Sequence, residues 1–158
     1  MQQTKALAEK PDDSYPEILD VKAFAEGLER IAAEYPVDRD GRRAALLAYL
    51  RGVSQESRAR ARDILNRDGS GMGCARRISW LEDQIIIHLY DFAIRHVHPA
   101  APDIISVTAV GGYGRATLAP GSDIDLLFLL PGKQTPLSQK VIEFILYLLW
   151  DMGMKRSE

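Results

Sequence analysis

The sequence predicts an α+β fold, a small sheet approached through helices, and three observations carry that expectation. Residues 104–110 (IISVTAV) form a β-branched run that reads as one strand, and residues 123–130 (DIDLLFLL) an acidic-headed apolar run that reads as another. Between them, Gly111-Gly112-Tyr113-Gly114-Arg115 punctuates the chain directly after the first strand. Around this pair, three stretches before the first strand and one after the second repeat apolar residues at helical spacing. A two-stranded sheet is marginal by itself, so the expected architecture is N-terminal helices followed by a small, incomplete sheet.

Each element has its own local signal. Residues 1–19 read as a loose arm, because Pro11, Asp12, Asp13, Ser14 and Pro16 discourage regular structure. Asp20 is the expected N-cap of a first helix, in which Val21, Phe24, Leu28, Ile31 and Tyr35 share a face before Pro36 ends it. A longer helix is expected from Asp40 to Asn66, with Ala44, Leu47, Leu50, Ile64 and Leu65 turned inward and a bend at Gly52. Residues 68–73 (DGSGMG) read as a loop, and a third helix follows from Ala75 to Val97 with Ile78, Leu81, Ile85, Leu89 and Phe92 on one stripe. Residues 98–103 (HPAAPD) turn into the first strand. After the second, Pro131-Gly132 breaks the chain, and Thr135 caps a last helix with Pro136 in its first position, where a missing N–H costs nothing. That helix, running to Asp151, is apolar on most sides, which suits burial.

Composition excludes several classes of function. At 158 residues, 46% hydrophobic and 27% charged, the chain has the make-up of one globular domain. A net charge of −2 without a basic face gives no nucleic-acid signature. Cys74 is the single cysteine, which rules out an intramolecular disulfide framework and fits a reducing compartment. The first fourteen residues hold no apolar signal core, and the longest apolar run, Phe144 to Trp150, is far short of a membrane span. The expected setting is soluble and cytoplasmic, without a membrane or nucleic-acid partner.

The chemistry concentrates at the second strand's acidic head. Side chains at i and i+2 of a strand point the same way, so Asp123 and Asp125 are expected on one face and Ile124 on the other. Two carboxylates ~5 Å apart repel by roughly 3 kcal/mol at an effective dielectric of about 20. A hard divalent cation turns that repulsion into a ligand set, and Mg²⁺ is typically held by one or two carboxylates together with substrate phosphates. Gly111 and Gly112 allow a backbone close enough to donate N–H groups to a phosphate. The bland alternatives are a solvated strand start and an ordinary glycine turn. Arg115 fits either a phosphate contact or an ion pair, and Ser122 either a turn cap or a nucleotide contact. The run GGYGRA lacks the third glycine of a dinucleotide fingerprint.

The order strand, Gly-Gly, short connection, Asp-x-Asp resembles the nucleotidyltransferase fold of the DNA polymerase β superfamily. The fuller string VGGYGRATLAPGSDIDLLFLL, with LLWDMGMK after it, resembles the N-terminal catalytic region of the bacterial bifunctional uridylyltransferase/uridylyl-removing family, from about Arg77 to Lys155. Ala116 and Thr117 depart from that family's Gly and Glu, and Lys155 leads into Arg156-Ser157-Glu158 where the family continues Gly-His-Ser-Val-Arg. The resemblance implies a truncated polymerase β-like nucleotidyltransferase fold, divided as an arm (1–19), a helical extension (20–73) and the first part of the nucleotidyltransferase domain (74–158). It implies that Asp123 and Asp125 are catalytic and hold Mg²⁺, and that Gly111 and Gly112, with Arg115 and Ser122 near them, bind the phosphates of UTP. The acceptor it implies is a tyrosine of the nitrogen-signalling protein PII, whose hydroxyl attacks the α-phosphate as pyrophosphate leaves. The family's third carboxylate, its HD phosphohydrolase domain and its ACT domains lie beyond the residues given, and Glu143 and Asp151 are weak substitutes for that carboxylate. The chain alone is therefore expected to lack uridylyl-removing activity and appreciable transfer. Two rival readings remain: another polymerase β-like enzyme, such as an adenylyltransferase, or an inactive fragment that binds a nucleotide or partner.

Other motifs carry less. Residues 69–73 invite a P-loop reading, but no Gly-Lys-Ser/Thr follows and no strand precedes them. His96 and His98, two apart on a helix, do not share a face and read as a frayed helix end. His88 sits inside the third helix's apolar run and reads as a satisfied core or surface histidine. Arg58, Arg60 and Arg62, near Glu56 and Asp63, read as a solvated helix face, and Asp83 and Asp91 as local pairing partners.

Overall fold

A computed structural model describes residues 15–36, 39–98, 105–110, 114–115, 125–130 and 132–153. The fold is α+β and mostly helical: α1 (Val21–Glu34), α2 (Arg39–Asp68), α3 (Gly71–Phe92) running into a π-helical turn (Ala93–Val97), then β1 (Ser106–Val110), β2 (Asp125–Leu129) and α4 (Pro136–Asp151). Residues 1–14, the expected arm for the most part, lie outside the described residues.

The caps act where the sequence places them. Asp20 accepts the Ala23 N–H at 3.1 Å and opens α1, whose Phe24 and Leu28 are buried. The helix closes at Glu34, and Tyr35, expected on the apolar stripe, is instead the C-cap, donating its backbone N–H to Ile31. At α4, Thr135 Oγ1 accepts from Ser138 N at 3.1 Å while Ser138 Oγ accepts from Thr135 N at 2.9 Å, a reciprocal capping box. Val141, Ile145 and Leu148 of α4 are buried, but Tyr147 and Trp150 are more than half exposed. The helix thus buries one face, not all of them.

Four expectations need correction. In α2 Leu50 is buried and Leu47, Ile64 and Leu65 pack half-buried against the core as expected, but Ala44 is exposed, and the buried positions also include Leu46 and Ala61. The reason is that the buried stripe runs Leu46, Leu50, Ser54, Ser57, Ala61, so two serines occupy core-facing positions where an apolar count loses the register. α2 also runs through Gly52 without interruption. The loop before α3 is only Gly69-Ser70, because Ser70 Oγ accepts from Gly73 N at 2.9 Å and draws 71–73 into the first turn. Gly69 stands at φ 68°, the left-handed position that closes α2. The end of the third helix is a π-helical turn, with His98 N–H on the Ala93 carbonyl at 2.7 Å, in place of the expected fraying.

The predicted stripe of α3, with Ile78, Leu81, Ile85, Leu89 and Phe92, is buried throughout. It meets α1, α2 and α4 in one core, onto which Val107, Ala109, Leu126 and Phe128 of the sheet also pack. Arg43 pairs with Asp151, and Arg51 donates to the Asp151 carbonyl, so α2 ties down the C-terminal end of α4. Among the described residues no helix is long and apolar enough to cross a membrane.

Candidate functional site

β1 and β2 pair antiparallel, with Ser106 opposite Leu129, Thr108 opposite Leu127 and Val110 opposite Asp125. Directly opposed residues of an antiparallel pair share a face. One face therefore carries Val107, Ala109, Leu126 and Phe128 and rests on the helical core. The other carries Asp125 with Val110, Leu127 and Leu129, the last three well exposed. Alternation alone puts Asp125 on the side away from the helices.

The register also sets Asp125 opposite the last residue of β1. Its partner, Val110, is the residue that immediately precedes Gly111. Gly114 and Arg115 follow, both exposed, and no described carboxylate pairs with Arg115. Of the predicted site residues, the structure thus brings Asp125 to the end of β1 from which the glycine run departs. Gly111, Gly112, Ser122 and Asp123 lie outside the described residues, as do Ile104 and Ile124 of the expected strands. Asp125 offers a hard oxygen donor of the kind Mg²⁺ takes, and a second aspartate stands two positions before it in the chain, so the donor chemistry fits that ion.

The remaining candidates are engaged within the helical layer. Asp151 pairs with Arg43, and Gln139 Nε2 donates to Glu143 Oε1 at 3.0 Å. Asp91 accepts from Arg95 Nε at 2.9 Å, the local pairing expected of it. His96 Nε2 lies 3.3 Å from Glu29 Oε1, and burial, helped by Lys140, holds the pKa of His98 below the ordinary histidine value. His88 Nδ1 is 2.7 Å from the Gln84 carbonyl and its ring stands against Phe24, which makes it a satisfied histidine. A groove of about 620 Å³ between α1 and α3, bordered by Lys22, Leu28, His88, Phe92 and Arg95, contains none of the predicted site residues.

One buried group was missed. Glu82 has no exposed surface and lies against Arg58, which is therefore not part of a solvated helix face. Its signal was present in the sequence, since 82 falls four residues after Ile78 and three before Ile85, on the apolar stripe.

Residues 96–156 match the nucleotidyltransferase domain family. Over 87% of its length the chain is similar to two curated proteins, each described as a bifunctional uridylyltransferase/uridylyl-removing enzyme. One, from Azospirillum brasilense, is 43% identical over 142 residues, and the other, from Rhodospirillum rubrum, 48% identical over 143. The chain spans 15% of the length of each. No solved structure matches. The similarity reaches well into the first seventy residues, beyond the stretch that carries the motif, so α1 and α2 belong to the shared region as well.

Proposed function

We propose that this chain forms part of a uridylyl-transfer site, in which UTP is bound between the glycine run after β1 and the acidic head of β2. The observation that supports this reading is the register opposing Asp125 to Val110, the residue before Gly111. It puts a carboxylate at the end of β1, from which the chain continues into Gly111 and Gly112. Gly111 and Gly112 would donate N–H groups to the β- and γ-phosphates, as glycine turns do for anions. Arg115, exposed and a few residues further along the chain, would add charge-assisted hydrogen bonds to the same oxygens, and Ser122 would cap the connection or touch the nucleotide. Asp123 and Asp125 would hold Mg²⁺, which when bound neutralises charge on the triphosphate.

The transfer itself is a displacement at the α-phosphorus. A hydroxyl oxygen forms a new bond to that phosphorus as the bridge to the β-phosphate breaks, pyrophosphate departs, and the hydroxyl gives up its proton. The names of the relatives support uridylyl as the transferred group, and the family resemblance supports a tyrosine of PII as the acceptor and the cytoplasm as the setting. The role of this chain's residues is to fix the triphosphate so that the α-phosphorus is presented in line.

Calorimetric titration of the 158-residue chain with UTP, with and without Mg²⁺, tests the site. Saturable binding that needs Mg²⁺ and disappears in Asp125→Asn is the expected result. Binding indifferent to Mg²⁺ or to Asp125 overturns the reading, and a clear preference for ATP overturns its uridylyl part. Incubating the chain with PII and labelled UTP then asks whether the label reaches a tyrosine.

A further inference from the structure

We infer that Gly114 is a positioning residue, whose missing side chain lets the chain leaving β1 close back onto that strand's own backbone. A Cβ placed at 114 would stand 2.7 Å from the carbonyl oxygen of Ala109 and 3.0 Å from its carbonyl carbon. Carbon and oxygen atoms not bonded to each other do not approach so closely, and both atoms belong to the backbone of a paired strand. They cannot swing aside as the tip of a long side chain does. The demand is for space and not for an unusual backbone angle, because among the described glycines only Gly69 and Gly153 have positive φ.

The contact has a definite place in the sheet. The chain leaves β1 at Val110 and is back against Ala109 by Gly114. Ala109 is opposite Leu126, and Val110 opposite Asp125. Gly114 therefore lies against Ala109, the neighbour in β1 of the residue that opposes Asp125. This inference rests on the proposed reading that Gly111 and Gly112 present donors to phosphate. Gly114 itself touches no substrate in that reading. It sets the distance between the donor pair and the carboxylate by holding the connection down on β1. Gly132 offers the contrast within the same chain, since a Cβ there meets nothing within 4 Å.

The test compares Gly114→Ala and Gly132→Ala with the unaltered chain, by calorimetric titration with Mg²⁺-UTP and by thermal melting followed by circular dichroism. Gly132→Ala is expected to match the unaltered chain in both. Gly114→Ala is expected to bind Mg²⁺-UTP at least tenfold more weakly while its binding stoichiometry stays that of a fully folded sample. Affinity and stoichiometry separate the two possible roles. A purely structural glycine would reduce the folded, binding-competent fraction and leave the dissociation constant of that fraction unchanged. That result overturns the inference, as does a Gly114→Ala chain that fails to fold or one that binds as tightly as the original. If the unaltered chain shows no Mg²⁺-dependent binding, the proposed site falls and this inference with it. Unaltered binding in Gly114→Ala beside lost binding in Asp125→Asn would sink the positioning role alone.

Discussion

Arg58 on α2 donates from Nη2 to Oε1 of Glu82 on α3, giving a guanidinium partner to a carboxylate that has no exposed surface. The other carboxylate oxygen, Oε2, has no hydrogen-bond partner among the described residues. Arg58 is also held from its own helix, by Nε donating to Ser54 Oγ at 3.2 Å. Burial is the largest influence on Glu82 and pushes its pKa up to about 7; Arg58 opposes that rise, and the nearby charge of Asp83 adds to it. The α2–α3 interface therefore contains a group that titrates near neutrality.

This group makes stability fall as pH rises. Its folded pKa, about 7, lies above the ordinary glutamate value of 4.5, so between those limits the folded chain binds more protons than the unfolded one. The contribution of Glu82 is fully present below about 4.5 and is lost as pH climbs through about 7, a change on the order of 3 kcal/mol. Glu82→Gln should remove that slope, since an amide of the same shape has no charge to bury. Urea melts of both chains at steps between pH 4.5 and 8 measure the difference directly. A stability gap between the two that does not change across this range would show that Glu82 does not titrate there.

Removing the other partner should give the opposite pattern. Breaking a buried ion pair typically costs about 3–5 kcal/mol, because one charge is left without compensation. Glu82 can escape that penalty by taking a proton. Arg58→Ala is therefore expected to be strongly destabilising at pH 8 and much less so at pH 5. Arg58 is only partly buried, so in Glu82→Gln it can turn to water at little cost. Melts of Arg58→Ala and of the double variant at the two pH values complete the comparison. Equal losses for Arg58→Ala at pH 5 and pH 8 would mean that the pair contributes by packing alone.

What was legible in the sequence is what local chemistry decides. Asp20, Thr135 and Pro136 start their helices because a side-chain oxygen or a missing N–H acts within three residues of itself. The two strands and their order were legible from branched residues and alternation, and pairing them was enough to bring Asp125 opposite Val110, the last residue of β1. What escaped depends on partners distant in the chain. Ser54 and Ser57 are buried although nothing in their own side chains calls for it, and Arg58 looked solvated until Glu82, 24 residues on, was placed against it. Asp151 similarly drew attention as an acid, yet Arg43, 108 residues before it, already pairs with it. The need for glycine at 114 was invisible for the same reason, since it depends on how close the Ala109 carbonyl comes.

The contact between α1 and α2 yields a prediction whose sign is set by competition. Gly27 is buried within α1, and a Cβ there would meet Tyr49 of α2, whose hydroxyl oxygen would be 2.0 Å away and ring carbon Cζ 2.4 Å. Alanine is better than glycine inside a helix by about 1 kcal/mol. Against that gain, Tyr49 must move, losing the 3.1 Å hydrogen bond from its hydroxyl to the Phe24 carbonyl and its stacking on the Phe24 ring. Overpacking typically costs about 1–3 kcal/mol, and a lost hydrogen bond about 1 kcal/mol more. Gly27→Ala should therefore destabilise by roughly 1–3 kcal/mol in denaturant melts. A variant as stable as the original would show that Tyr49 finds an equally good position elsewhere.

The last prediction concerns Asp125 itself and separates its chemistry from its place in the fold. Asparagine has nearly the shape of aspartate and keeps one carbonyl oxygen, so Asp125→Asn leaves the β1–β2 register, with Val110 opposite, undisturbed. The core side of the sheet, Ala109 and Leu126 included, lies on the other face and is not touched by the change. The melting temperature should accordingly shift by little, and upward if Asp123 stands close enough to repel it, because one of two like charges has been removed. Binding of Mg²⁺-UTP should behave quite differently. A neutral amide is a far poorer ligand for a hard dication than a carboxylate, and the triphosphate loses the countercharge that offsets its own. Expected is the loss of Mg²⁺-dependent UTP binding, with any residual binding independent of Mg²⁺ and weakened by salt, as an Arg115 contact to phosphate would be. Arg115→Ala should produce the complementary result, weaker binding that still requires Mg²⁺. Titrations of the three chains with UTP, with Mg²⁺ and with chelator, at low and high ionic strength, distinguish these patterns. If Asp125→Asn melts much earlier than the original, the side chain is structural, and the metal role has to be sought at another residue.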